Sequence, residues 1–388
     1  MEKQSSSECA AAAAHHVENI EQPQPTLQQS IRLYPKIVAY SIGLTSSFLL
    51  AGYDAVIVGT ITAVPRFQAD FGERYGSRYI IPSVWMSLWS ALGYVGSMVG
   101  GAVGGPWQDR AGRKWPLAGG SLISAVAIAV LYVSNLPDDI DSRRGLFLAG
   151  KIILGFSSGI LMAATQTYIS ETAPTSLRGP AMALFPTFML LGQIIGAGVI
   201  FATSDIQTPK AYLTSFASQW PFSAVPLAMA ILVPESPSHL VRCEQFDAAL
   251  RSLTRLHTSA IDPASLAADL DSSIRLEREL AHEVTYRACF AAATNRRRTL
   301  IVCFASAIPA LFGLPLLSNA SYYMQIVGMK PSFSIIFLIL GIGLGLIANG
   351  AGIWRPAAPA ADRSPWSRCW SRRCSGLEWA LRGAGGGL

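Results

Sequence analysis

The stretch Gly105-Pro-Trp-Gln-Asp-Arg-Ala-Gly-Arg-Lys114 decides how the chain is read. Asp109, Arg110, Arg113 and Lys114 form a charged knot between two apolar runs, about Val84 to Pro106 and Trp115 to Val133. A hydrocarbon slab excludes such a knot, and a soluble core gives no reason for two runs of ~20 apolar residues, the length that crosses a bilayer. Two membrane helices joined by a tight basic hairpin satisfy both facts, and the charge assigns that hairpin to the cytoplasm. Pro106 reads as the end of the first helix. Gly112 reads as the residue that gives the turn its conformational freedom.

Composition agrees with a membrane protein. Hydrophobic residues make up 51% of the 388-residue chain and charged residues only 14%, against ~25% in soluble domains. Mean hydropathy is +0.36. The net charge of +6 does not form a basic stripe with interleaved aromatics, so nucleic acid is not expected as a partner. Six cysteines without a CxxC pair suggest neither a metal site nor a disulfide framework. His15-His16 near Cys9 lies in polar sequence and reads as a bystander. No G-x-S-x-G, P-loop or H-E-x-x-H pattern occurs, and no enzyme or cofactor is expected.

Taken in order, residues 1–34 read as a disordered cytoplasmic tail without a cleavable signal peptide. Residues 35–233 read as six spans. The first runs from about Ile37 to Val64, with Asp54 near mid-membrane, and an external segment of Pro65 to Ser83 follows. Spans two and three flank the hairpin. Span four covers about Leu146 to Tyr168, span five about Pro180 to Ala202, and span six about Tyr212 to Val233. Gly96, Gly100 and Gly104 form a small-residue ladder, and Gly155 and Gly159 share a face of span four, which lets helices approach closely. Residues 234–298 read as a cytoplasmic loop of amphipathic helices, with Ser236 as N-cap, Pro237 at the first helical position, and apolar spacing at Phe246, Ala249, Leu250 and Leu253. Spans seven and eight, about Thr299 to Ile326 and Ser332 to Trp354, make up 299–354. Most Lys and Arg residues then fall on one side, which sets both termini in the cytoplasm. Residues 355–388 lack periodicity and read as an aberrant basic tail.

Four motifs in order resemble the sugar porter branch of the major facilitator superfamily. They are Gly105 to Lys114, Gly52-Tyr-Asp54, Tyr168-Ile-Ser-Glu171-Thr-Ala-Pro174 with Arg178-Gly179, and Pro234-Glu-Ser-Pro237 with Leu240-Val-Arg242. Gly52 to Gly59 with Pro65-Arg-Phe67, Gly192-Gln193, and Tyr322-Tyr323 before Gly328-Met329 are similar to fungal α-glucoside (maltose) permeases. The resemblance implies an all-α membrane protein of the major facilitator fold: an N-terminal six-helix half, a cytoplasmic helical loop, and two helices of a second half. It also implies transport of an α-glucoside or hexose by proton-coupled alternating access, in the plasma membrane, with sugar, protons and lipid as partners. The family's remaining four helices have no counterpart here, so transport by this chain alone is expected to be impaired. A nutrient sensor of the same fold, or an inactive fragment from a damaged gene or gene model, are the alternatives.

Site residues follow from the same resemblance. Asp54 stands at the proton carrier's position and Lys151 at that of its basic partner, usually arginine. The residues themselves leave open a structural ion pair that never titrates. Gly105, Asp109, Arg110, Gly112, Arg113, Lys114, Glu171 and Arg178 correspond to the cytoplasmic gate motif, whose plainer reading is topology and hairpin rigidity. Gln193, Asn319 and Tyr322 are the candidate sugar contacts. Pro186 and Pro309-Ala310 depart from the family, which carries hydrogen-bonding amides there.

Overall fold

The computed structural model describes residues 27–76, 78–204, 206–257, 262–280, 288–291, 293–311, 320–329 and 331–354. Residues to Leu346 belong to one compact unit. Of the second unit, 347–388, only the helical residues through Trp354 are described.

Helix begins earlier than the apolar pattern does. Leu27–Leu33 (α1) corrects the last residues of the stretch read as a disordered tail, whose residues 1–26 lie outside the described residues. Seven residues cannot hold a helix alone. Packing supplies what propensity lacks, because buried Ser30 donates to Ser176 Oγ at 3.0 Å. The first span follows as Pro35–Thr45 (α2) and Ser47–Ile61 (α3), with Pro35 in the first turn where its missing N–H is no loss.

The segment after span one contains structure that no periodicity announced. Pro65–Phe71 (α4) leads into a hairpin of Glu73–Tyr75 (β1) and Arg78–Ile80 (β2), antiparallel with Glu73 opposite Ile80. An isolated two-stranded hairpin is marginal in water. Arg144 holds this one, donating to the Phe71 carbonyl at 2.8 Å and to Glu73 at 3.0 Å. Among the described residues, the other regular elements are helices.

Ser83–Ala111 (α5) runs straight through Pro106, so that proline does not end span two. Proline removes only the bond to the carbonyl four residues earlier, and membrane helices tolerate this. Gly112 ends the helix at φ +87°, its N–H donating to the Gln108 carbonyl at 3.0 Å. Lys114–Val133 (α6) begins two residues later. Ile140–Thr172 (α7) follows, capped by Asp139, whose carboxylate accepts from the Ser142 N–H at 2.9 Å. That bond, with the one from the Ser142 hydroxyl, holds the Asp139 carboxyl below its usual pKa. Thr175–Thr203 (α8) forms span five, and Lys210–Ala217 (α9) with Trp220–Leu232 (α10) forms span six.

Glycine decides which spans touch. A Cβ on Gly96 would strike the Ile152 carbonyl, one on Gly100 the Phe156 carbonyl, and one on Gly155 the Gly93 carbonyl. The two ladders therefore mesh, pressing α5 backbone to backbone against α7. Gly52 and Gly192 do the same between α3 and α8, against Met189 and Leu49. At the end carrying the hairpin β1–β2, buried Phe67, Phe71, Trp89, Phe147 and Tyr212 make one aromatic core, with Trp89 edge-on to Phe147 at 4.8 Å.

The loop after span six folds as Pro237–Arg242 (α11), Phe246–Leu256 (α12) and Pro263–Leu280 (α13) around its own cluster of Val241, Ala249 and Ile274. Ser236 precedes α11 but makes no capping bond. Ala288–Ala291 (α14) leads to Ala293–Leu311 (α15), Ala320–Ile326 (α16) and Pro331–Trp354 (α17). Among the described residues, five helical stretches are long and apolar enough to cross a membrane: Pro35–Ile61, Lys114–Val133, Ile140–Thr172, Ser176–Thr203 and Phe333–Ala351. Helix α5 is 29 residues long, but its glycines and serines dilute its hydropathy.

Candidate functional site

Two polar constructions interrupt the apolar bundle. The first is an ion pair inside a cavity of about 220 Å³ between α3, α5, α7 and α8. Asp54 from α3 meets Lys151 from α7, Nζ donating to Oδ1 at 2.5 Å and to the Asp54 carbonyl at 3.3 Å. The Lys151 side chain is 3% exposed and that of Asp54 14%, so the carboxylate is the more open side of the pair. The Lys151 stem passes Gly93 at ordinary van der Waals range, a Cβ there lying 3.8 Å from Lys151 Cε. Apolar Val58, Met162 and Met189 share the cavity wall with Ser90, Tyr94 and Ser158.

The second construction is built around the Gly112 turn. Arg113 is 3% exposed and forks onto Glu171 at the end of α7, with Nε to Oε2 at 3.0 Å and Nη2 to Oε1 at 2.7 Å. Its Nη1 donates to the Gln108 carbonyl at 3.1 Å and faces His239 Nδ1 at 2.8 Å. An arginine can only donate, so the imidazole accepts at Nδ1 and carries its proton on Nε2. Burial, then the Arg113 charge, hold the His239 pKa below its usual value, which agrees with a neutral ring. Glu235 accepts from the backbone N–H of Arg113 at 2.7 Å and of Lys114 at 3.3 Å, where an anion also suits the start of α6. Ser236 Oγ, free of capping duty, donates to Glu171 Oε2 at 2.6 Å. Two carboxylates and one guanidinium thus staple the α5–α6 turn, the end of α7 and the start of α11. Removing one partner of such a buried pair costs ~3–5 kcal/mol.

A model of the "Sugar (and other) transporter" family matches residues 39–352. The chain belongs to that family. Among curated relatives, the Saccharomyces cerevisiae "Alpha-glucosides permease MPH3" is 29% identical over 348 residues, covering 84% of this chain and 55% of the permease. The Aspergillus fumigatus "MFS transporter fmqE" is 31% identical over 243 residues, covering 61% of this chain and 42% of the transporter. This chain therefore spans about half the length of the curated relatives it matches. The proton:xylose symporter XylE, solved with 6-bromo-6-deoxy-D-glucose, superposes with a TM-score of 0.70 at 19% identity, covering 84% of this chain and 70% of that one. The fold is the major facilitator fold, and the protein is an integral, multi-pass membrane protein. The relatives are permeases and transporters, not enzymes.

Within this family member, the expected site residues separate into those the fold gathers and those it does not. Asp54 and Lys151, 97 positions apart, are in contact. Gly112, Arg113, Lys114 and Glu171 share the turn cluster, whereas Asp109 touches it only at 3.9 Å from Arg113 with a 73% exposed side chain. Arg110 and Arg178 are exposed, and Gly105 has open space where a Cβ would sit. Gln193 is half-buried on α8 and is not among the residues lining the cavity. Tyr322 is buried on α16, outside that lining, beside Tyr323 at 6.2 Å. Asn319 and the side chains of Pro309 and Ala310 lie outside the described residues. Pro186 is exposed on α8. Glu235 and His239 are the members of the turn cluster that the sequence reading passed over. Glu235 was legible in the Pro234-Glu-Ser-Pro237 motif, but His239 carries no sequence signal beyond its distance from it.

Proposed function

We propose that this protein carries a sugar, an α-glucoside or a hexose, across the plasma membrane by proton-coupled alternating access. The observation that carries this reading is the Asp54–Lys151 contact inside a cavity between four helices of the bundle. A buried carboxylate beside a cation can hold its charge in one conformation and take a proton in another, when the pair separates. Kinship with α-glucoside permeases supports a sugar as cargo, and the likeness to the proton:xylose symporter XylE supports a proton as driver. Gln193, Asn319 and Tyr322 complete the proposed sugar contacts. The Arg113–Glu171–Glu235 cluster, with Gly105, Asp109, Arg110, Gly112, Lys114 and Arg178 around it, is the proposed cytoplasmic gate. Both termini and the 234–298 loop are proposed to face the cytoplasm.

Two measurements test the proposal. Radiolabelled maltose and glucose uptake is followed in a transporter-null host, using the chain fused to the last four helices of an α-glucoside permease. Saturable accumulation that a protonophore collapses is expected, and no saturable uptake of either sugar overturns the reading. Second, epitope tags at the N-terminus and between residues 240 and 250 should be shielded from protease in sealed cells, while a tag between 134 and 139 is cut. Cleavage of the loop tag in sealed cells overturns the orientation.

A further inference from the structure

The cavity holds a hydroxyl that the ion pair does not use. Serines and threonines inside membrane helices ordinarily return their proton to a carbonyl three or four residues back. This protein follows the habit: Ser47 bonds Leu44, Thr60 bonds Val56, Ser121 bonds Leu117, Ser157 bonds Leu154 and Thr203 bonds Val199. Ser158, one residue beyond Ser157, does not. Its side chain is buried at 7% exposure, its Oγ has no hydrogen-bond partner among the described residues, and it lines the cavity with Asp54 and Lys151. Ser215 also lacks a side-chain bond, but it lies outside the cavity lining, behind Tyr53.

Helical spacing explains the aim of Ser158. Lys151, Gly155, Ser158 and Met162 stand at intervals of four, three and four, one stripe along α7, and all four line the cavity. Ser90, Gly93, Tyr94 and Ser97 form the facing stripe on α5. Gly93 and Gly155, in backbone contact, bring the two stripes together. The result is a wall with hydroxyl groups at Ser90, Ser97 and Ser158 beside apolar Val58, Met162 and Met189. A pyranose has the matching chemistry: hydroxyls around its rim and C–H bonds on its faces. An unmade hydrogen bond in a buried donor is costly, so such a group favours a ligand that completes it.

We infer that Ser158 is a sugar-contacting residue, its Oγ bonding one pyranose hydroxyl beside the Asp54–Lys151 pair, on a wall supplied by α5 and α7. This rests on the proposed sugar cargo and assigns a subsite distinct from Gln193, Asn319 and Tyr322.

Saturation-transfer NMR of maltose with the purified full chain in nanodiscs suits weak, millimolar binding. Wild type, Ser158→Ala and Ser158→Thr are titrated with maltose and with its monodeoxy analogues. Ser158→Ala should weaken maltose binding by roughly five- to tenfold, the effect of one hydrogen bond, while Ser158→Thr keeps it within about twofold. One deoxy analogue should bind wild type and Ser158→Ala equally, because the partner hydroxyl is already gone. Equal weakening for every analogue, or an unchanged maltose affinity in Ser158→Ala with an unaltered thermal melt, overturns the assignment. So does the absence of a maltose signal that excess methyl α-glucoside displaces from wild type. Sugar transport itself is decided separately by the uptake experiment, which leaves Ser158 intact.

Discussion

Asp54→Asn ends concentrative sugar uptake in the fused, full-length transporter: labelled maltose reaches the outside concentration and stops, and a protonophore no longer changes it. Asparagine keeps the shape and a hydrogen-bond acceptor for Lys151 Nζ but cannot exchange a proton. The substitution also strands the Lys151 ammonium at 3% exposure, a loss of ~3–5 kcal/mol unless the lysine gives up its proton. Lysine can do so where arginine cannot, so this pair tolerates the change better than an arginine pair. The double substitution Asp54→Asn with Lys151→Met removes the stranded charge and separates the two effects. Surface level should recover toward wild type while accumulation stays absent. Accumulation against a gradient in either variant shows that the pair is structural only.

The second large effect is on folding. Gly155→Ala should leave little monodisperse protein, because the new Cβ overlaps the Gly93 carbonyl and no side chain can rotate out of the way. Overpacking against flexible neighbours costs ~1–3 kcal/mol, and a clash with backbone lies at the top of that range or above it. The same substitution at Gly198, where nothing lies within 4 Å, is the control and should be neutral. Fluorescence-detected size exclusion reads the difference directly. Equal monodisperse peaks for the two variants would show that α5 and α7 do not depend on this contact. The two outcomes also bear on the cavity, since Gly93 and Gly155 set the spacing of the stripes that hold Lys151 and Ser158.

Much of this was written locally. The hairpin at Gly112 was legible because charge cannot enter hydrocarbon, and that constraint needs no tertiary partner. The glycine ladders were legible because spacing of four on a helix is geometry, and the structure meshes them as the spacing suggests. Asp54 drew attention because an acid in an apolar run is expensive wherever it packs.

What the sequence could not decide depends on distance in space. Pro106 looked like a helix end, but whether a helix survives a missing N–H depends on what surrounds it, and α5 survives. The α1 helix and the β1–β2 hairpin are too short to announce themselves, and they exist because Ser176 and Arg144 hold them. His239 is unremarkable until Arg113, 126 positions away, is laid against its ring. Ser158 is one of two adjacent serines on one helix. Only the packing of α7 against α5 sets one back on its own backbone and leaves the other facing the cavity with a bond to make. Sequence alone determined where the long apolar helices lie and which residues are costly to bury, because those follow from local chemistry. Tertiary structure decided which of the costly residues meet, because contact across a bundle is fixed by the packing of whole faces.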